Sequence, residues 1–180
     1  MRDMDEMKLA RVIDACGGVD GRVKMQKIVY LLRMIGYDLP YDDFTIRQLG
    51  PFSRAVACDT DLLRSAGVVR ETCEEISESP GEPVVQYSYA VRETLAPLIR
   101  KHFDIDGPAG RPDVDEVAKE LKKQDRAVLE VAATKVFLER HDKRSGEALD
   151  MELRRLKGHL LSRFTEADAL IAKMKQEQWL

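Results

Sequence analysis

Gly21-Arg22-Val23-Lys24-Met25-Gln26-Lys27-Ile28-Val29-Tyr30-Leu31-Leu32, followed at a distance by Leu49-Gly50-Pro51-Phe52-Ser53, decides the fold of this chain. The first stretch places Val23, Ile28, Leu31, Leu32 and, further on, Ile35 at helical spacing, with Lys24, Lys27 and Arg33 between them. It predicts a helix over 21–35, capped by Asp20 and closed by Gly36. Gly50-Pro51 reads as the opening of another helix over 52–66. Proline suits a first helical turn, where its missing N–H would have no partner anyway. In that helix Val56, Leu62 and Leu63 are the candidate core residues and Gly67 the stop.

Upstream, residues 3–16 form an amphipathic pattern ended by Gly17-Gly18. Between the two key stretches lies a loop, in which Thr45-Ile46-Arg47 reads as a short extended piece. Downstream, Val68 to Cys73 and Val84 to Tyr89 read as two strands of a hairpin with an acidic tip. A helix over 91–103 follows. Helix, helix, hairpin and helix is the order of a winged helix. Residues 104–112 hold two glycines and two prolines and read as a linker.

Residues 113–180 are helical throughout by pattern. Asp113 caps a helix over 114–123, a second runs over 125–141, and Ser145 opens a last one over 146–177. Leu149, Leu153, Leu156, Leu160, Phe164, Ala167, Ile171 and Met174 make one apolar stripe along it, which needs a partner surface in this chain or another. The fold class is therefore mainly α (α+β). A winged-helix-like core over 1–103 and a linker over 104–112 precede C-terminal helices over 113–180, which pack on the core or on a partner.

Composition narrows the function classes. The 180 residues carry a net charge of −3. Residues 1–90 hold 11 basic and 15 acidic side chains and residues 91–180 hold 18 and 17, so neither half is a basic nucleic-acid footprint. No apolar run reaches the roughly 20 residues of a membrane span, and the acidic N-terminus is unlike a signal peptide. Cys16, Cys58 and Cys73, odd in number and widely spaced, suit a reducing cytoplasm. His102, His141 and His159 lack metal-ligand spacing, and His102 and His141 fall near predicted helix ends. Cys58, mid-helix, reads as a small buried hydrophobe. No phosphate-binding loop, nucleophile elbow or dinucleotide fingerprint is present, so the expectation is a non-enzyme with no cofactor and no metal.

For DNA reading, the helix from Ser53 would enter the major groove, with Arg22, Arg47, Arg54 and Arg64 as the contact residues. Asp59 and Asp61 on that helix, and Glu71, Glu74, Glu75, Glu78 and Glu82 around the hairpin tip, oppose phosphate binding.

The segment 21–32, with its G-R-x-K-M-Q-K-x-x-Y-L-L pattern, resembles the Panacea domain of SocA-like antitoxins and especially the related YwgA-like proteins. So does Gly50-Pro51-Phe52-Ser53 with the leucine-rich helix after it. Leu129-Glu130-Val131-Ala132-Ala133-Thr134 with Leu156-Lys157 resembles the C-terminal helices of the YwgA-like group. Met25 replaces the usual leucine, and Leu49 stands where an aromatic often precedes Gly-Pro. The resemblance implies a helical domain with a small hairpin that acts by holding other proteins: neutralising a toxin, or presenting a client to a protease or chaperone. The expected partner-binding residues are Lys24, Lys27, Tyr30, Phe52 and Ser53, with the last helix beside them. Homodimerisation through 146–177 is a further expectation. The alternative is a winged-helix transcription regulator.

Overall fold

A computed structural model describes residues 5–75 and 85–180. The chain is mainly α with two small antiparallel sheets. Its N-terminal elements are α1 (Asp5–Ala15), β1 (Val19–Asp20), α2 (Arg22–Ile35), β2 (Thr45–Arg47), β3 (Gly50–Phe52) and α3 (Arg54–Ser65). Then come β4 (Val69–Glu75), β5 (Val85–Val91) and α4 (Ala96–His102). The C-terminal part holds α5 (Val114–Lys123), α6 (Arg126–Arg140), α7 (Gly146–Lys157), a 3₁₀ turn (Gly158–Arg163) and α8 (Phe164–Gln176).

Helix α6 is the axis of the packing. Val128, Leu129, Val131, Ala132, Ala133, Val136 and Leu138 are all buried, so it is apolar around most of its circumference, as an enclosed helix must be. Helix α2 packs on one side of it, and α7, the 3₁₀ turn and α8 pack on others. Helix α1 packs against α3 and α5. The apolar residues of both halves of the chain join one core. Residues 104–112 are irregular but held down: the Asp38 N–H donates to the Asp106 carbonyl at 2.8 Å, and the Tyr37 hydroxyl donates to the Pro112 carbonyl at 2.6 Å.

In the three-stranded sheet the order is β1-β5-β4, with Val19 opposite Tyr89 and Glu71 opposite Tyr89 on the other side. The hairpin tip expected at 76–84, including Glu78 and Glu82, lies outside the described residues. Helix caps follow the sequence at two places: Asp113 accepts the Asp115 N–H, and Asp125 accepts the Ala127 N–H, both at 2.7 Å.

Several expectations need correction. Gly50-Pro51 does not open a helix. Gly50–Phe52 is a strand paired with Thr45–Arg47, and α3 starts only at Arg54 with Ser53 as its N-cap. Asp20 does not cap α2; it lies in β1 and accepts from the Ser88 hydroxyl at 2.9 Å. Leu62 and Cys58 are exposed, because both point away from the face of α3 that buries Val56, Thr60 and Leu63. Ser145 takes the N-cap position of α7 without a side-chain hydrogen bond.

The long C-terminal helix is interrupted. Residues 158–163 form a 3₁₀ turn beginning at Gly158, and Leu160 leaves helical geometry at φ −115° and ψ 21°. The break lets both α7 and α8 lie on α6, so Leu149, Leu153, Ala167, Ile171 and Met174 are buried inside this chain. The stripe that suggested a homodimer is thus already covered, except for its partly buried middle at Leu156, Leu160 and Phe164.

Candidate functional site

The stretch that opens α2 and the hairpin β2–β3 meet through buried polar groups. Gln26 grips Ser53 twice: its amide nitrogen donates to the Ser53 carbonyl and its amide oxygen accepts the Ser53 N–H, each at 2.9 Å. At the next residue of α2, the Lys27 ammonium donates to the Pro51 carbonyl at 2.7 Å. Together these hold residues 50–53 extended, which is why proline stands in a strand here. The Ser53 hydroxyl then caps α3 by accepting the Val56 N–H at 3.0 Å, and it donates to Asp43.

The opposite side of the hairpin is held from the C-terminal helices. Lys157, 1% exposed, donates to Glu130 at 2.7 Å and to the Gln48 carbonyl at 2.6 Å. Gly50 sits against α6 at φ +87°, where a Cβ would come within 2.7 Å of the Thr134 hydroxyl. Only glycine fits both the backbone angle and the gap. Lys27, Glu130 and Lys157 thus form a buried cluster with two ammonium groups and one carboxylate. Burial, opposed by Glu130, lowers the Lys27 pKa to about 8.

Held this way, the hairpin makes one wall of a cleft of about 440 Å³. The helices α2 and α3 form its other walls, and Val23, Met25, Phe52, Val56 and Ala57 give it an apolar lining. At its mouth the Arg47 guanidinium lies 4.2 Å from the centre of the Phe52 ring. A second cavity of about 410 Å³ shares Arg22 and Val23 with the first and extends to Arg64, Glu71, Tyr87, Tyr89 and Arg126. The two adjoin across the start of α2, with Arg22 and Val23 as their shared wall. Arg22 stands between them, donating to Asp61 at 2.6 Å and to the Tyr89 hydroxyl at 2.9 Å. Arg64 donates to Glu71 at 2.9 Å. The bond to Arg22 is the main reason the Asp61 pKa is lowered.

Of the residues expected to bind a partner, Lys27, Tyr30 and Ser53 are buried at 2%, 0% and 0% exposure. Lys27 and Ser53 hold the hairpin in place rather than offer a free surface. The Tyr30 ring lies in the core, edge-on to Phe44 at 5.0 Å, and its hydroxyl has no hydrogen-bond partner among the described residues. Lys24 and Phe52 are half-buried, and Phe52 lines the cleft. Of the four DNA candidates, Arg22 and Arg64 are tied to carboxylates. Arg47 stacks on Phe52, and Arg54 is exposed at the start of α3 on the far side, beside a different cavity rich in carboxylates.

Glu130, Thr134 and Lys157 were not among the expected site residues, although they lie in the third resembling segment, Leu129 to Thr134 with Leu156-Lys157. All three segments converge on the hairpin. Among the described residues no group of histidines, cysteines or carboxylates is arranged to hold a metal ion, and no helix is long and apolar enough to cross a membrane.

No protein-family model matches the chain, and no solved structure matches it. Over 113 residues it is 26% identical to the uncharacterized protein YwgA of Bacillus subtilis (strain 168). That match covers 63% of this chain and 64% of YwgA, so the chain spans just under two-thirds of the curated relative's length and is similar to it over that part.

Proposed function

We propose that the protein is a non-enzymatic, antitoxin-like interaction module of the cytoplasm, which binds a partner protein in the groove between α2, β2–β3 and α3. Toxin neutralisation, or presentation of a client to a protease or chaperone, is the role that the Panacea-like segments suggest. The carrying observation is the convergence of those segments. Gln26, Lys27, Glu130 and Lys157 commit buried polar interactions to holding one short hairpin against α2 and α6, and Gly50 lets it approach Thr134 closely. Burying charge is costly unless it is paired and hydrogen-bonded, and the bonds that satisfy these buried charges hold a groove wall. The groove is concave, mostly apolar and edged by a few polar groups, the usual make-up of a binding site.

The test is affinity capture from the native host with tagged protein, with and without nuclease, comparing wild type with Ala57→Trp, which fills the cleft. A stoichiometric protein partner that survives nuclease and is lost with the folded Ala57→Trp variant supports the reading. A partner retained equally by both moves the binding surface elsewhere.

A further inference from the structure

Within this acidic protein the groove is locally cationic. The larger cleft is lined by Arg22 and Arg47 and by no carboxylate, while the buried Lys27 ammonium behind it is bonded to the Pro51 carbonyl and faces Glu130. The adjoining cavity adds Arg64 and Arg126 against Glu71 alone. Arg22 and Arg64 are partly neutralised by Asp61 and Glu71. Arg47, lining the larger cleft, and Arg126, lining the adjoining cavity, are exposed, and neither pairs with a carboxylate among the described residues. Helix α2 points its N-terminus between them, and Gly21 offers it no side-chain cap. The dipole of a 14-residue helix adds partial positive charge there.

From these observations we infer that the groove takes an acidic, amphipathic segment of a partner protein. Its Leu, Ile or Phe side chains enter beside Val23, Phe52 and Ala57, and its Asp or Glu side chains face Arg47 and Arg126. The inference rests on the proposed function and specifies the partner's chemistry. Charge complementarity decides the occupant. An apolar cleft alone accepts any hydrophobic segment, whereas a guanidinium group without a carboxylate partner in the cleft, and another in the cavity that adjoins it, select carboxylates and repel lysine and arginine. A DNA backbone is a poorer fit. It has no apolar side chains to fill the floor formed by Val23, Phe52 and Ala57.

The experiment selects about 12-residue peptides of random sequence on the immobilised full chain and measures the winners by fluorescence anisotropy. Winners rich in Asp or Glu next to large apolar residues are the expected result. Their affinity falls at least about ten-fold in Arg47→Glu/Arg126→Glu, and also falls when salt is raised from about 0.05 M to about 0.5 M. Both substituted side chains are exposed, and a carboxylate in the first turn of α6 suits that helix, so the variant folds.

Basic or uncharged winners, acidic winners indifferent to the double variant, or no enrichment overturn the inference. So does a dimer of the free protein that Arg47→Glu turns into monomer, which gives the groove to a second copy, or a duplex DNA held through the same arginines. If Ala57→Trp still loses the native partner while the winners are not acidic, the charge assignment fails and the groove remains the binding site.

Discussion

Glu130→Gln puts the groove's foundation under the sharpest strain. The carboxylate sits between two buried lysines, 2.7 Å from the Lys157 ammonium, with side-chain exposures of 3% and 1%. The substitution keeps shape and removes the only negative charge of the cluster, leaving two ammonium groups in a poorly solvated space. Breaking a buried pair from one side costs about 3–5 kcal/mol. The second lysine, already at a lowered pKa, places this change at the upper end, about 5 kcal/mol. For a chain of this size each kcal/mol moves the melting temperature by roughly 2–4 °C, so the expected drop is roughly 10–20 °C.

Lys157→Met costs less, about 3 kcal/mol, because Glu130 still faces Lys27 after Lys157 has gone. The combination of Glu130→Gln with Lys157→Met is therefore more stable than Glu130→Gln alone, since it removes one of the two orphaned charges. Urea unfolding followed by circular dichroism at neutral pH gives all three values. Equal costs for the two single variants, or a double variant less stable than Glu130→Gln, would falsify the charge argument.

Lys27 makes stability depend on alkaline pH in a specific direction. Its folded pKa is lowered to about 8 against about 10.5 for a free lysine, so between these values the unfolded chain holds more protons and stability rises with pH. The rise totals at most about 3 kcal/mol, from about 1.4 kcal/mol per pKa unit. Urea midpoints measured from about pH 7.5 to about pH 9.5 should rise for wild type relative to Lys27→Met, since the opposing fall from the buried Cys16 thiol is common to both, in a window below the ordinary tyrosine pKa of about 10. Burial pushes the Cys16 thiol up to about 12, while Cys58 and Cys73 are exposed. Dithionitrobenzoate should label two thiols quickly and the third only in denaturant; rapid labelling of all three would mean that α1 opens readily. Duplex DNA should bind weakly, with Arg54→Ala making little difference. A tight complex whose salt dependence falls with Arg54→Ala would put the transcription-regulator alternative first.

Much of the scaffold was legible because it rests on local signals. Asp113 and the apolar rows after it located α5, and the β-rich runs at Val68 and Val84 located the two long strands to within a residue or two. Thr45-Ile46-Arg47 was read as extended, and it is. Misreadings arose where distant side chains overrode local preference. Pro51 favours a helix start on its own evidence, but Gln26 and Lys27 capture the carbonyls at 51 and 53 from a different helix. The stripe from Leu149 to Met174 gave no warning of the break at residues 158–163, since its apolar spacing runs through Gly158 without a slip. The site's buried charges were the least legible part. In a sequence, Glu130 and Lys157 look like two more members of solvated helical faces. Only the fold brings them together under the hairpin, across 27 residues of chain.

The bond from Lys157 to the Gln48 carbonyl spans 109 residues. A ribosome makes the hairpin early and the lysine that secures it late. Until residue 157 has been made, therefore, the nascent chain carries β2–β3 fastened from α2 but not from α7. The two sides of the hairpin are secured in separate steps, the second of them 109 residues after Gln48 leaves the ribosome's catalytic centre.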